Sequence, residues 1–179
     1  MTRVAAAGFS WGGLSNILAA TQDGRIKALV CIDGAVRYHN RIVEQAKYAV
    51  PEQLKTPLLF LAQGPASMET NIRIKEDLSG SFIKRMINAD VYLFTMYPME
   101  HQHFGSAFIR LDDPAEYKEY SAEEVSSAYS LGARYILNFL NGYLKGDLSG
   151  RAYLANKPTT NGAAPHSMTM EFMPGKGNR

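Results

Sequence analysis

Apolar positions along the chain gather into four short runs separated by longer stretches with helical spacing. Residues 3–8 (RVAAAG), 27–33 (KALVCID), 57–63 (PLLFLAQ) and 90–97 (DVYLFTMY) are nearly continuous apolar segments, the form taken by parallel strands buried on both faces. Residues 12–22, about 38–50 and 72–88 between them carry helical patterns, with Gly80 weakening the middle of the third. The longest predicted helix starts near Ser121, where SAEE forms a capping box between Ser121 and Glu124. Behind it Val125, Ala128, Tyr129, Ala133, Ile136, Phe139, Leu140 and Tyr143 recur every three or four positions, and Gly146 is a natural stop. Strands alternating with helices predict an α/β fold: right-handed crossovers and a doubly wound, mostly parallel sheet. From residue 156 the composition turns to Pro, Gly, Asn and Thr. An extended or partly disordered tail (156–179) is therefore expected after a domain of residues 1–155.

Composition narrows the partners. The chain has 179 residues, enough for one domain that buries roughly 70% of its unfolded surface. A net charge of +2 without any Lys/Arg cluster points to neither nucleic acid nor acidic membranes. The single cysteine, Cys31, excludes an intrachain disulfide and reads as a buried thiol. No run approaches the ~18 apolar residues of a membrane span. The opening MTRVAAAGFS reads as a strand flowing into a turn rather than a signal peptide, and the compartment is left open.

The turn itself is GFSWGG, residues 8–13, between the first strand and the first helix. G-x-S-x-G has a mechanical reason. The chain reverses so sharply that the serine takes a strained conformation, and the positions two before and two after it, Gly8 and Gly12, are expected to lack room for a Cβ. Ser10 would then stand exposed above the helix N-terminus as a nucleophile. The plain alternative is a glycine-rich turn whose serine caps the helix. Nucleotide binding is disfavoured, since neither G-x-G-x-x-G nor a P-loop lysine is present.

This strand–GFSWGG–helix unit, followed by further strand–helix units over residues 3 to about 154, resembles the α/β-hydrolase superfamily. In that fold the nucleophile follows the fifth strand and a histidine general base follows the last one. The resemblance places the base in PMEHQHFGS (98–106), just past the fourth apolar run. His101, which heads HQHF with Phe104 positioned to pack below its ring, is the first candidate, and His103 is the second. His39 and His166 lie elsewhere.

Many α/β-hydrolases carry their acid in a G-x-x-D segment after the strand preceding the histidine strand. Here that segment is QGPASMET, where the corresponding position is Ser67 and the nearest carboxylate is Glu69. Asp33, at the end of the second apolar run, is the better-placed candidate, because ligand sites of open α/β sheets gather at C-terminal strand ends. A turn role for its Asp-Gly pair is the ordinary alternative. Platelet-activating-factor acetylhydrolases take their acid from this earlier strand, and the chain is similar to them in GFSWGG, IKALVCIDG and HQHF. Dienelactone-hydrolase-like enzymes share the broader pattern.

The resemblance implies a serine esterase working through an acyl-enzyme, with Ser10, His101 and Asp33 as triad and no metal or organic cofactor. The Trp11 backbone N–H would be one oxyanion donor, and the second would come from a loop after an earlier strand. The serine strand comes first here, so the chain is expected to be the C-terminal portion of such a fold, with its N-terminal strands missing. Lacking one oxyanion donor costs about 100- to 1000-fold in turnover. A small or medium acyl ester is the expected substrate. Peptidase, lipase and dienelactone-type activities stay open, because one fold hosts many chemistries. Phe9, Trp11, Tyr38, Met99 and Phe104 are candidates for an apolar acyl pocket. The reading from a different class is a non-catalytic fragment or interaction module that self-associates through an exposed sheet edge.

Overall fold

A computed structural model of the chain describes residues 3–64, 81–111, 113, 117 and 119–178. Five strands form one sheet in the order β1 (Val4–Phe9), β2 (Ile26–Ile32), β3 (Leu58–Gln63), β4 (Val91–Met96) and β5 (Met168–Met173). The first four pair in parallel, and β5 pairs antiparallel with β4. The four apolar runs become the four parallel strands, each within a residue or two of its predicted bounds.

The helices among the described residues are α1 (Trp11–Ala20), α2 (Asn40–Gln45), α3 (Ser81–Lys84), α4 (Ser106–Leu111), α5 (Ala122–Leu140) and α6 (Leu148–Ala155). The capping box at the start of α5 is present: the Ser121 hydroxyl accepts the Glu124 N–H while the Glu124 carboxylate takes the Ser121 N–H. After one π-turn over Asn141–Lys145, Gly146 stops the chain at φ 72°, a conformation open to glycine. The helix expected over about 38–50 is shorter. Only α2 forms there, flanked by 3₁₀ turns at Ala35–Arg37 and Pro51–Gln53, with Val50 held extended before the proline. Of the helix expected over 72–88, residues 72–80 lie outside the described residues.

Alternate side chains of each strand enter two cores. Leu29 and Cys31 of β2 and Leu58, Phe60 and Ala62 of β3 meet Leu14 and Ile17 of α1, Val43 of α2 and Phe82 of α3. Ala28, Val30, Leu59, Leu61, Phe94 and Met96 meet α5 and α6 through Ala128, Leu131, Tyr135, Phe139 and Leu154. The sheet is thus covered on both faces, but not by double winding. Strand order follows chain order without reversal, and crossovers of one hand stepping in one direction place α1, α2 and α3 on one face. The second face is covered by α5 and α6, which follow the last parallel strand.

Within the segment expected as an extended or partly disordered tail, Met168–Met173 pair into the sheet: a 3₁₀ turn at Pro158–Asn161 leads into β5, which runs beside β4 over its whole length. Composition hid a strand whose signal is the alternation in MTMEFM between Pro165 and Pro174. A polar knot fastens this edge. Asp90, buried ahead of β4, accepts the Gly175 N–H at 2.9 Å through Oδ1 and the Tyr143 hydroxyl at 2.7 Å through Oδ2. Burial, then the bonds to Tyr92 and Asp90, push the Tyr143 hydroxyl well above its ordinary range and keep it a donor. The Arg151 guanidinium lies 3.3 Å over the Tyr143 ring centroid.

Tyr143→Phe removes the hydroxyl that fills Asp90 and is expected to cost about 1–3 kcal/mol. In a chain of this size each kcal/mol lowers Tm by about 2–4 °C in a thermal melt. An unchanged Tm would contradict the role given to this knot.

Candidate active site

Ser10, the residue after β1, has φ 53° and ψ −119°. A non-glycine residue in this region carries about 1–3 kcal/mol of strain. The surrounding backbone offsets it: the Ser10 N–H donates to Ile32 O at 3.0 Å, and the Ser10 carbonyl accepts from Ala35, Gly13 and Leu14. Asp33, the residue after β2, also has positive φ, 40°. Its N–H donates to Leu61 O at 2.7 Å. Both residues thus sit one step beyond a strand and are tied to the end of the neighbouring one.

The Ser10 side chain makes no capping bond to α1. Its Oγ lies 3.1 Å from His101 Nε2, and His101 Nδ1 lies 2.6 Å from Asp33 Oδ2. An ionised carboxylate only accepts, so Nδ1 carries the proton that bonds Asp33. Nε2 is then left with a lone pair toward the serine hydroxyl.

Asp33 has no exposed surface, and other groups fill its remaining lone pairs. The Gln63 N–H donates to Oδ1 at 3.1 Å, and the Tyr38 hydroxyl to Oδ2 at 3.3 Å. Gln63 Nε2 in turn donates to the Tyr38 hydroxyl oxygen. The largely buried Arg37 guanidinium stands 3.7 Å from Oδ1. The His101 ring is stacked on Phe9 at 4.7 Å, with Tyr38 edge-on at 6.2 Å. Phe9, not Phe104, is therefore the ring packed against His101. Tyr38, Gln63 and Arg37 escaped the sequence reading as partners of the acid; only their nearness to the strand ends hinted at them.

The alternatives fall elsewhere. His103 is 7% exposed, accepts the Glu100 N–H at 3.0 Å through Nδ1 and stacks on Tyr117. It serves the 3₁₀ turn His101–Phe104 rather than Ser10. Glu69 and Ser67 lie outside the described residues. His39 stacks on Trp11 at 4.2 Å, and His166 lies in the turn before β5. Of the expected pocket residues, Met99 and Phe104 are buried, whereas Phe9 and Trp11 are 39% and 51% exposed. The Trp11 N–H opens α1, where the first N–H groups have no helical acceptor.

The glycines need one correction. A Cβ on Gly8 would lie 2.4 Å from the Gly12 carbonyl carbon, as the motif predicts, but a Cβ on Gly12 would meet nothing within 4 Å. The second crowded position is Gly13, whose Cβ would lie 2.6 Å from Cys31 Sγ and 3.0 Å from Gly8 O. The turn is thus clamped between β1, α1 and the buried Cys31 thiol, which burial pushes far above its usual range.

Among the described residues no group of His, Cys, Asp and Glu is arranged to hold a metal ion. No helix there is long and apolar enough to cross a membrane. A cavity of about 320 Å³ lies at the opposite sheet end, between Ala20–Lys27 and Tyr48–Pro57. It contains none of Ser10, Asp33 or His101, and size alone does not make it the reactive end. Compared with models of protein families and with curated proteins, the chain finds no match.

Gly8→Ala and Gly13→Ala are each expected to lower unfolding free energy by about 1–3 kcal/mol in urea titrations. Gly12→Ala should stay within about 0.5 kcal/mol of the parent. A Gly12→Ala loss as large as that of Gly8→Ala would contradict this packing.

Proposed function

We propose that this chain is a serine hydrolase acting on carboxylic esters. The observation that carries the reading is the continuous line from buried Asp33 through His101 Nδ1 and Nε2 to Ser10 Oγ, with spacings of 2.6 and 3.1 Å. A serine hydroxyl needs a base within this reach, and a base needs an oriented tautomer. Ser10 and Asp33 are the residues after β1 and β2, and His101 opens the 3₁₀ turn that follows β4.

In the proposed reaction Ser10 Oγ attacks the ester carbonyl carbon while its proton passes to His101 Nε2. Asp33 stabilises the resulting imidazolium through the Nδ1–H bond. Negative charge develops on the carbonyl oxygen, and the Trp11 N–H at the positive end of α1 is one donor to it. Collapse breaks the carbon–oxygen bond to the alcohol, which leaves with the proton from Nε2. Water then loses a proton to His101, attacks the acyl-serine and releases the acid, and Ser10 recovers its proton.

The proposal extends to membership of the α/β-hydrolase superfamily. The serine follows β1, the acid β2 and the histidine β4, the last of the parallel strands, and this order along successive strands supports the reading. An acid directly after the next strand favours the arrangement of platelet-activating-factor acetylhydrolases over the G-x-x-D form.

Hydrolysis of p-nitrophenyl acetate by purified protein tests the reading. Ser10→Ala or His101→Ala is expected to lower kcat by about 10⁶, and Asp33→Asn by about 10⁴. Retention of activity in folded Ser10→Ala would overturn it.

A further inference from the structure

On the α5 face a row of side chains crosses the C-terminal end of the sheet. Phe9 of β1 is in register with Ile32 of β2, and Ile32 with Leu61 of β3. Registered partners on parallel strands point to the same face. Phe9 stacks on the His101 ring that bonds Ser10. Its two neighbours in the row, Ile32 and Leu61, line a cavity of about 70 Å³ beneath α5, together with Met96, Met99, Phe104 and Gly132. Met99 and Phe104 also bracket His101 in the chain. The cavity therefore lies against both the strand beside Ser10 and the segment that carries its base. No charged side chain lines it, and a water inside would find few of the two to four polar partners it needs.

Gly132 sets the size of this space. A Cβ there would lie 3.1 Å from Met96 Cε and 3.2 Å from Leu61 Cδ1. Alanine is the stronger helix former at an interior position, so glycine here gives up helix propensity where a methyl group would crowd the cavity. Volume then limits the occupant. A dry cavity of about 150 Å³ takes the six carbons of benzene, so 70 Å³ takes about three.

We infer that this cavity receives the acyl chain of the ester attacked by Ser10 and selects short unbranched chains, up to butyryl, over longer ones. The inference rests on the ester-hydrolase reading and adds its substrate class. Each methylene moved from water into an apolar site is worth about fourfold in kcat/KM, and a chain longer than the cavity gains nothing further.

The test measures kcat/KM for p-nitrophenyl acetate, butyrate and octanoate with the parent protein and with Gly132→Ala. Butyrate should exceed acetate by about sixteenfold, octanoate should fall below butyrate, and Gly132→Ala should remove most of that preference from the butyrate-to-acetate ratio. A second readout needs neither turnover nor the variant. With ¹³C-methyl methionine, added sodium butyrate should shift the Met96 and Met99 signals and leave Met86, in the core on the other face, in place. Hydrolysis whose rate climbs through octanoate, a ratio unmoved in folded Gly132→Ala, or silent Met96 and Met99 methyls would overturn the cavity inference alone. Absence of any Ser10-dependent hydrolysis would instead overturn the function proposed above.

Discussion

A carboxylate with no exposed surface must have its oxygens filled from within, and the way Asp33 is filled organises this end of the molecule. Its partners come from three places: the Gln63 N–H at the end of β3, the Tyr38 hydroxyl in the turn after β2, and His101 Nδ1 in the segment after β4. Arg37 adds a cation at 3.7 Å. Removing one partner of a buried charge costs about 3–5 kcal/mol. The acid is therefore a tie between the ends of β2 and β3 and the turn that carries His101, and the imidazole it holds is bonded at both ring nitrogens.

The strained backbone at Ser10 and Asp33 follows from the same geometry. Ser10 and Asp33 each turn the chain out of a strand at positive φ, a region that non-glycine residues enter at a cost of about 1–3 kcal/mol. The cost is met locally by backbone bonds from Ser10 N–H to Ile32 and from Asp33 N–H to Leu61. The close packing of Gly8, Gly13 and Cys31 then leaves α1 one position at the end of β1. A scaffold of parallel strands is suited to this, because successive strand ends deliver residues far apart in sequence to one edge.

Much of this arrangement was legible in the sequence because its signals are local. Continuous apolar runs gave the four parallel strands, and SAEE gave the start of the long helix. GFSWGG pointed to Ser10, the end of the second apolar run to Asp33, and the α/β-hydrolase resemblance to the segment that holds His101. What escaped depends on contacts distant in sequence. The choice between His101 and His103 turns on which ring faces Asp33 and Ser10, and both share one short turn. The tight glycine pair is Gly8 with Gly13 rather than Gly8 with Gly12, because the wall is Cys31 of the neighbouring strand. The partners of Asp33 carry no motif. The last strand was masked by a composition that reads as loop, although its apolar alternation is plain once pairing with β4 supplies a reason for it.

The central claim is that the fold holds Ser10 Oγ against a histidine oriented by a buried acid. Labelling of the native chain with a fluorophosphonate, mapped by peptide mass, reads this most directly because it needs only nucleophile and base. The account predicts covalent modification at Ser10 and at none of the other serines, lost on unfolding and in His101→Ala. A folded sample that stays unlabelled, or that labels at Ser10 equally fast without His101, would contradict it.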